Sequence, residues 1–161
     1  MAGRRSRLLG VVWAGLAWIM AGGCAAYISP LQPPPYRDQI AAPYDVTWNA
    51  LIRTLAFDNV SLRAVAKDSG VIASDDIVSP IGVYADCGSL GDKSLEGEAL
   101  VTFTVFVRPN GPTTDLQINS KMRTFRLGKP GKLRSNPDYG CVSTTRWEPN
   151  LVDAVRRFVK E

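Results

Sequence analysis

Residues 98–126 constrain the fold more than any other part of the chain. Ala99, Val101, Phe103, Val105 and Val107 are apolar at every second position, with Thr102, Thr104 and Arg108 between them. Leu116, Ile118, Ser120 and Met122 repeat the pattern against Asp115, Gln117, Asn119, Lys121 and Arg123. Successive side chains on a strand point to opposite faces, so each run predicts a strand with one apolar and one wet face. Phe106 gives the wetter face some apolar character of its own. Pro109-Asn110-Gly111-Pro112 supplies the turn, and the whole predicts a long antiparallel hairpin.

Such a hairpin needs cover for its apolar face, and two amphipathic stretches offer it. Tyr44, Trp48, Leu51, Ile52 and Leu55 share one face of a helix predicted over residues 44–56, with Asp45 to cap it or load its first turn. Leu151, Val152, Val155, Phe158 and Val159 line one face of a closing helix, with Lys160 at its C-terminal end. Thr145 and Glu148 have capping-box spacing, and Asn150 with Asp153 offers a second start. Asp58-Asn59 ends the first helix. Val60, Leu62, Ala64 and Ala66 then alternate with Ser61 and Arg63 up to the turn Lys67-Asp68-Ser69-Gly70, so residues 59–77 predict a second hairpin. A short strand over 83–87, a polar loop over 88–97, a Gly/Pro/basic loop over 127–140 and a short strand over 141–145 complete the order. The sum is an α+β two-layer sandwich: an antiparallel sheet of about five strands under an N-terminal and a C-terminal helix, within one domain over 44–161.

The N-terminus is of another kind. Arg4, Arg5 and Arg7 precede an uncharged apolar run from Leu8 to Met20, which small residues close. That order is a secretory signal, and the run is short of the about 20 residues that a membrane span needs. Ala21-Gly22-Gly23-Cys24 resembles the lipobox of bacterial lipoproteins, with Ala21 where that family usually has Leu. The resemblance implies a signal peptide over 1–23 and a mature chain that begins at a lipidated Cys24. Two or three acyl chains hold a protein firmly to a membrane, whereas one is marginal. Ala25, rather than Asp, after the cysteine favours the periplasmic face of the outer membrane by analogy, with inner-membrane anchoring as the alternative. Pro30, Pro33, Pro34, Pro35 and Pro43 make residues 24–43 read as an extended tether. With Cys24 taken by lipid, Cys87 and Cys141 form an even pair in an oxidising compartment, which predicts a disulfide. A catalytic thiol at either position would need a base, and the chain has no histidine.

The stretch from Trp48 through Asp68-Ser69-Gly70-Val71-Ile72-Ala73-Ser74-Asp75 resembles the helix-grip domains of BamC-like lipoproteins: a tryptophan-bearing helix, a strand, a short polar turn with Gly, and a strand. That resemblance implies a helix-grip-like fold and an accessory role in the cell envelope.

Charge and motif spacing narrow the chemistry. The leader holds three of the nineteen Lys and Arg, which leaves sixteen against fifteen acids, a net +1 for the mature chain. The basic balance of the whole therefore does not point to nucleic acid. Asp75-Asp76 lacks metal-ligand company, and Asp92, Glu96 and Glu98 lie in a polar loop that offers no shielded, oriented acid pair. Gly128, Gly131 and Gly140 lack the spacing of a phosphate loop. No cofactor is expected. Residues 75–98 hold six acids and one Lys, and residues 121–134 hold six bases and no acid. These segments either neutralise each other, or Lys129, Lys132 and Arg134 meet an anionic surface. The functional expectation is a non-enzymatic binding or envelope-assembly accessory, with the membrane and an envelope or outer-membrane protein as partners. The alternatives are a module with an apolar cavity for lipid and, less favoured, a carboxylate-based envelope hydrolase.

Overall fold

The computed structural model describes residues 26–124 and 139–161. In chain order the elements are β1 (Tyr27–Ile28), β2 (Tyr36–Ile40), α1 (Tyr44–Phe57), β3 (Leu62–Ala66), β4 (Val71–Ser74), β5 (Ile77–Pro80), β6 (Ala85–Asp86), β7 (Ser89–Leu90), β8 (Lys93–Ser94), β9 (Glu98–Asn110), β10 (Thr113–Thr124), β11 (Tyr139–Ser143) and α2 (Trp147–Val159). Among the described residues the fold is α+β, with two helices and one large antiparallel sheet.

β9 and β10 are the long hairpin that the alternation predicts, paired from Asn110–Thr113 to Ala99–Thr124. Gly111 takes the positive φ (61°) and Pro112 the fixed negative one, as the tight II′ hairpin turn requires. Each long strand carries two shorter neighbours end to end. β9 pairs with β4 at residues 104–106 and with β5 at residues 98–101. β10 pairs with β2 at residues 114–118 and with β11 at residues 122–124. β3 adds to β4 and β6 to β11, so the sheet has eight strands where the sequence predicts about five. The difference comes from the length of β9 and β10: near the turn the order is β3-β4-β9-β10-β2, and at the other end β5-β9-β10-β11-β6.

Both helices cover the face that holds Phe103, Val105, Val107, Leu116 and Ile118. Trp48, Leu51 and Leu55 of α1 and Leu151, Val152 and Val155 of α2 complete that cluster, and Trp147 lies with its ring centroid 4.5 Å from that of Phe103. A fully buried Val, Leu or Phe contributes about 1.5–3 kcal/mol, so this layer dominates stability. The same strand face continues as Ala99, Val101 and Met122, but no helix reaches them. Ala85, Cys87 and Cys141 cover them instead, and Cys87 and Cys141 are joined by a disulfide.

Four local expectations change. Residues 36–43, assigned to the tether by their prolines, belong to the folded unit: β2 is hydrogen-bonded to β10, Ile40 and Ala42 are buried, and the Thr114 hydroxyl donates to the Ala42 carbonyl at 2.8 Å. The predicted polar loop 88–97 contains β7 and β8, which form a small sheet with β1. β3 is an exposed edge rather than a half-buried strand, and Val65 is exposed there although its register partner Ile72 is buried. Neither predicted capping pair starts α2: it begins at Trp147 without a side-chain cap, and Glu148 is bound elsewhere. Among the described residues, no helix is long and apolar enough to cross a membrane.

The disulfide closes a separation of 54 residues and replaces a helix as the lid of the second cluster. The double substitution Cys87→Ser/Cys141→Ser is expected to lower unfolding free energy by up to about 4 kcal/mol in a urea titration. An unchanged midpoint would contradict a structural role for the bond.

Candidate functional site

Among the described residues, nothing covers the face of the sheet opposite the helices. Strand alternation fixes what it presents: Thr102, Thr104, Phe106 and Arg108 from β9, Asp115, Gln117, Asn119, Lys121 and Arg123 from β10, and Arg37 and Gln39 from β2. Register sets Gln39 opposite Asp115 and Arg37 opposite Gln117, so their side chains meet across the strands. Arg37 Nε donates to Gln117 Oε1 at 3.0 Å, and Gln39 Nε2 donates to Asp115 Oδ1 at 2.9 Å. Gln117 Nε2 continues the ladder to Asn119 Oδ1 at 3.0 Å. Asn110 Nδ2, at the hairpin turn, reaches both Asp115 oxygens at 3.1 and 3.2 Å.

Phe106 stands opposite Gln117 and is 40% exposed on this outward face. With Arg37, Gln39, Arg108, Asp115 and Gln117 it lines a broad open depression of about 830 Å³. A second depression of about 350 Å³ lies toward the other end, where Arg63, Lys121 and Arg123 surround Leu100 and Thr102. Across both, the five cations Arg37, Arg63, Arg108, Lys121 and Arg123 outnumber the three acids Asp38, Asp76 and Asp115, so the lining is cationic. Planar amides, guanidinium groups and an aromatic ring on a rigid sheet suit contact with an extended or flat partner through hydrogen bonds and stacking.

Hydrogen bonds from Gln39 and then Asn110, with the nearby charge of Arg108, hold the Asp115 carboxyl below the ordinary aspartate range. The ladder is thus built around an ionised Asp115.

A buried carboxylate lies on the other side of the sheet. Glu148, 3% exposed, accepts from Ser120 Oγ at 2.8 Å and from Ser143 Oγ at 2.9 Å. It sits in the first turn of α2 and ties that helix to β10 and β11, where a negative charge complements the helix dipole. A cleft of about 390 Å³ beside it is walled by Pro33, Pro34, Pro35 and Tyr36. Among the described residues, no buried side-chain polar atom lacks a partner and no group of three or more metal-ligating residues gathers. The space between helices and sheet is filled by Trp48, Leu51, Leu55, Phe103 and Val152.

Of the residues singled out in the sequence, Cys87 and Cys141 are bonded to each other. Cys24, Lys129, Lys132 and Arg134 lie outside the described residues. The flanks of the basic segment, Thr124 and Tyr139, pair with each other close to Cys141. Asp76 meets Arg123 at 3.1 Å, one pairing between the acidic and basic segments. Asp92, Glu96 and Glu98 are exposed and spread over β7–β8 and the start of β9. Sequence reading missed Arg37 and Gln39: burial alternates along Tyr36-Arg37-Asp38-Gln39-Ile40, but Asp38 at the central inward position and the flanking prolines leave no apolar period to read.

No protein-family model matches the chain, and no curated protein matches it. Among solved structures, a DUF4468 family protein from Bacteroides ovatus is similar over 66% of this chain at 12% identity and a TM-score of 0.36. The chain spans 59% of that protein's length, and a likeness at that score supports nothing about fold or function.

Because the folded-state carboxyl of Asp115 is the stronger acid, its contribution is present above the unfolded-state value and lost as pH falls through the folded one. The stability difference between the wild type and Asp115→Asn is therefore expected to hold from pH 7 to 5 and to shrink below about pH 4 in denaturant titrations. A difference that does not vary with pH would contradict the ladder.

Proposed function

We propose that the chain is a bacterial lipoprotein of helix-grip type, matured at Cys24 and anchored at the periplasmic face of the outer membrane. There it acts as a non-enzymatic binding or envelope-assembly accessory, and it meets its partner through the uncovered sheet face. The observation that carries this reading is the cationic, hydrogen-bonded face over β2, β10 and β9, centred on Phe106 and left open by both helices. A cross-strand ladder holds its side chains in one geometry, which lowers the entropy lost on binding. The Cys87–Cys141 bond supports an oxidising compartment. The signal-like N-terminus and the lipobox supply the address.

The test places a photoreactive amino acid at Thr104 on the open face, or at the exposed Phe57 of the helical layer, in cells that make the protein. Position 104 is expected to yield a discrete crosslink to an envelope component that is lost in Arg108→Glu/Lys121→Glu, while position 57 yields none. Equal labelling from both positions, or a crosslink indifferent to the charge reversal, would overturn the reading. Intact mass of the extracted chain checks the anchor: it is expected to start at Cys24 with added diacylglycerol.

A further inference from the structure

The prolines after Cys24 do not separate the anchor from the domain, because the chain is caught before it reaches them. The Ala26 carbonyl accepts from Gly91 N at 3.0 Å. Tyr27 and Ile28 pair with Leu90 and Ser89. The Tyr27 hydroxyl reaches the carbonyls of Cys87 and Gly140, each at 3.1 Å, which brackets the disulfide. Gly88 makes this approach feasible: a Cβ there would stand 2.0 Å from the Ile28 carbonyl oxygen and 3.1 Å from Pro30 Cδ, and its φ is +76°. Residues 30–35 then run from β1 to β2, between two parts of the folded unit.

Cys24 is two residues before Ala26, and two residues reach at most about 7 Å. From this distance, and resting on the proposed lipidation of Cys24, we propose that the β1–β7–β8 sheet is a membrane-docking surface. The lipid at Cys24 then holds the domain in a fixed orientation, disulfide end against the bilayer, instead of on a long free tether. The occupant is the bilayer that receives the acyl chains, since so short a link leaves this end nowhere else to face. Ile28 and Leu31, 59% and 93% exposed, present apolar side chains at that level. The turn end of the β9–β10 hairpin points away. Gly70, whose carbonyl accepts from Val107 N, lies six residues along β9 from Val101, or about 20 Å.

The experiment uses the full lipidated chain in vesicles of phosphatidylethanolamine and phosphatidylglycerol. A fluorophore is attached at Asp92→Cys, in the β7–β8 turn, or at Asp68→Cys, in the β3–β4 turn beside Gly70, and a nitroxide on the lipid headgroups quenches it. Quenching at position 92 is expected to exceed that at position 68 several-fold. Gly88→Ala, which drives β1 off the disulfide, is expected to erase the contrast; Tyr27→Phe is expected to reduce it and serves if Gly88→Ala does not fold. Equal quenching at both positions in a chain of verified lipidated mass overturns the docking alone. A chain whose mass shows an unmodified Cys24 overturns the anchor and the docking with it.

Discussion

The pairing of β9 with β10 is the interaction on which the rest of the molecule depends. It runs unbroken from the Gly111 turn to Ala99 and Thr124, and each of the other six strands of the large sheet joins through one of these two or through a strand already attached to them. A hairpin alone is marginal in water because one face of each strand remains exposed. Here the exposed face divides into two lengths. Phe103, Val105 and Val107 are covered by helices, and Ala99 and Val101 by the disulfide arm. The two covers answer the same need differently. A helix contributes many apolar contacts, whereas a short arm contributes few and depends on a covalent link that restricts the unfolded chain.

From this division follow the two ends of the domain. At the turn end, β2 and β4 flank the long strands and the polar ladder stands on the outward face. At the disulfide end, β11, β6 and the small β1–β7–β8 sheet gather where the chain enters. A single pair of strands thus carries the polar ladder near its turn and the first described residues of the chain near its other end. The same backbone that buries Val105 and Ile118 on one side fixes Phe106 and Gln117 on the other, so core packing and surface geometry are one constraint.

Much of this was legible in the sequence. Period-two alternation marked β9 and β10, helical spacing marked α1 and α2, and cysteine arithmetic marked the Cys87–Cys141 bond. What escaped notice was context. Tyr36–Ile40 is five residues long, has Asp38 at its central inward position and sits behind three prolines, so only its partner β10 identifies it as a strand. β7 and β8 have two residues each, too few for any period. Glu148 has the spacing of a capping residue, yet Ser120 and Ser143 claim it from strands far away or just before the helix; no local rule sees Ser120. The site was half visible: Asp115, Gln117 and Asn119 read as a wet face, but Arg37 and Gln39, which lock that face, arrive from the segment taken for a tether.

Native-state hydrogen exchange tests the primacy of the β9–β10 pairing most directly. The slowest amides are expected over Phe103–Val107 and Leu116–Ile118, outlasting those of Leu51–Leu55 in α1 and Val152–Val155 in α2, because the helices lose their support once the hairpin opens. Helix amides that stay protected after the hairpin amides have exchanged would show that the helical layer stands without it, and would contradict the account.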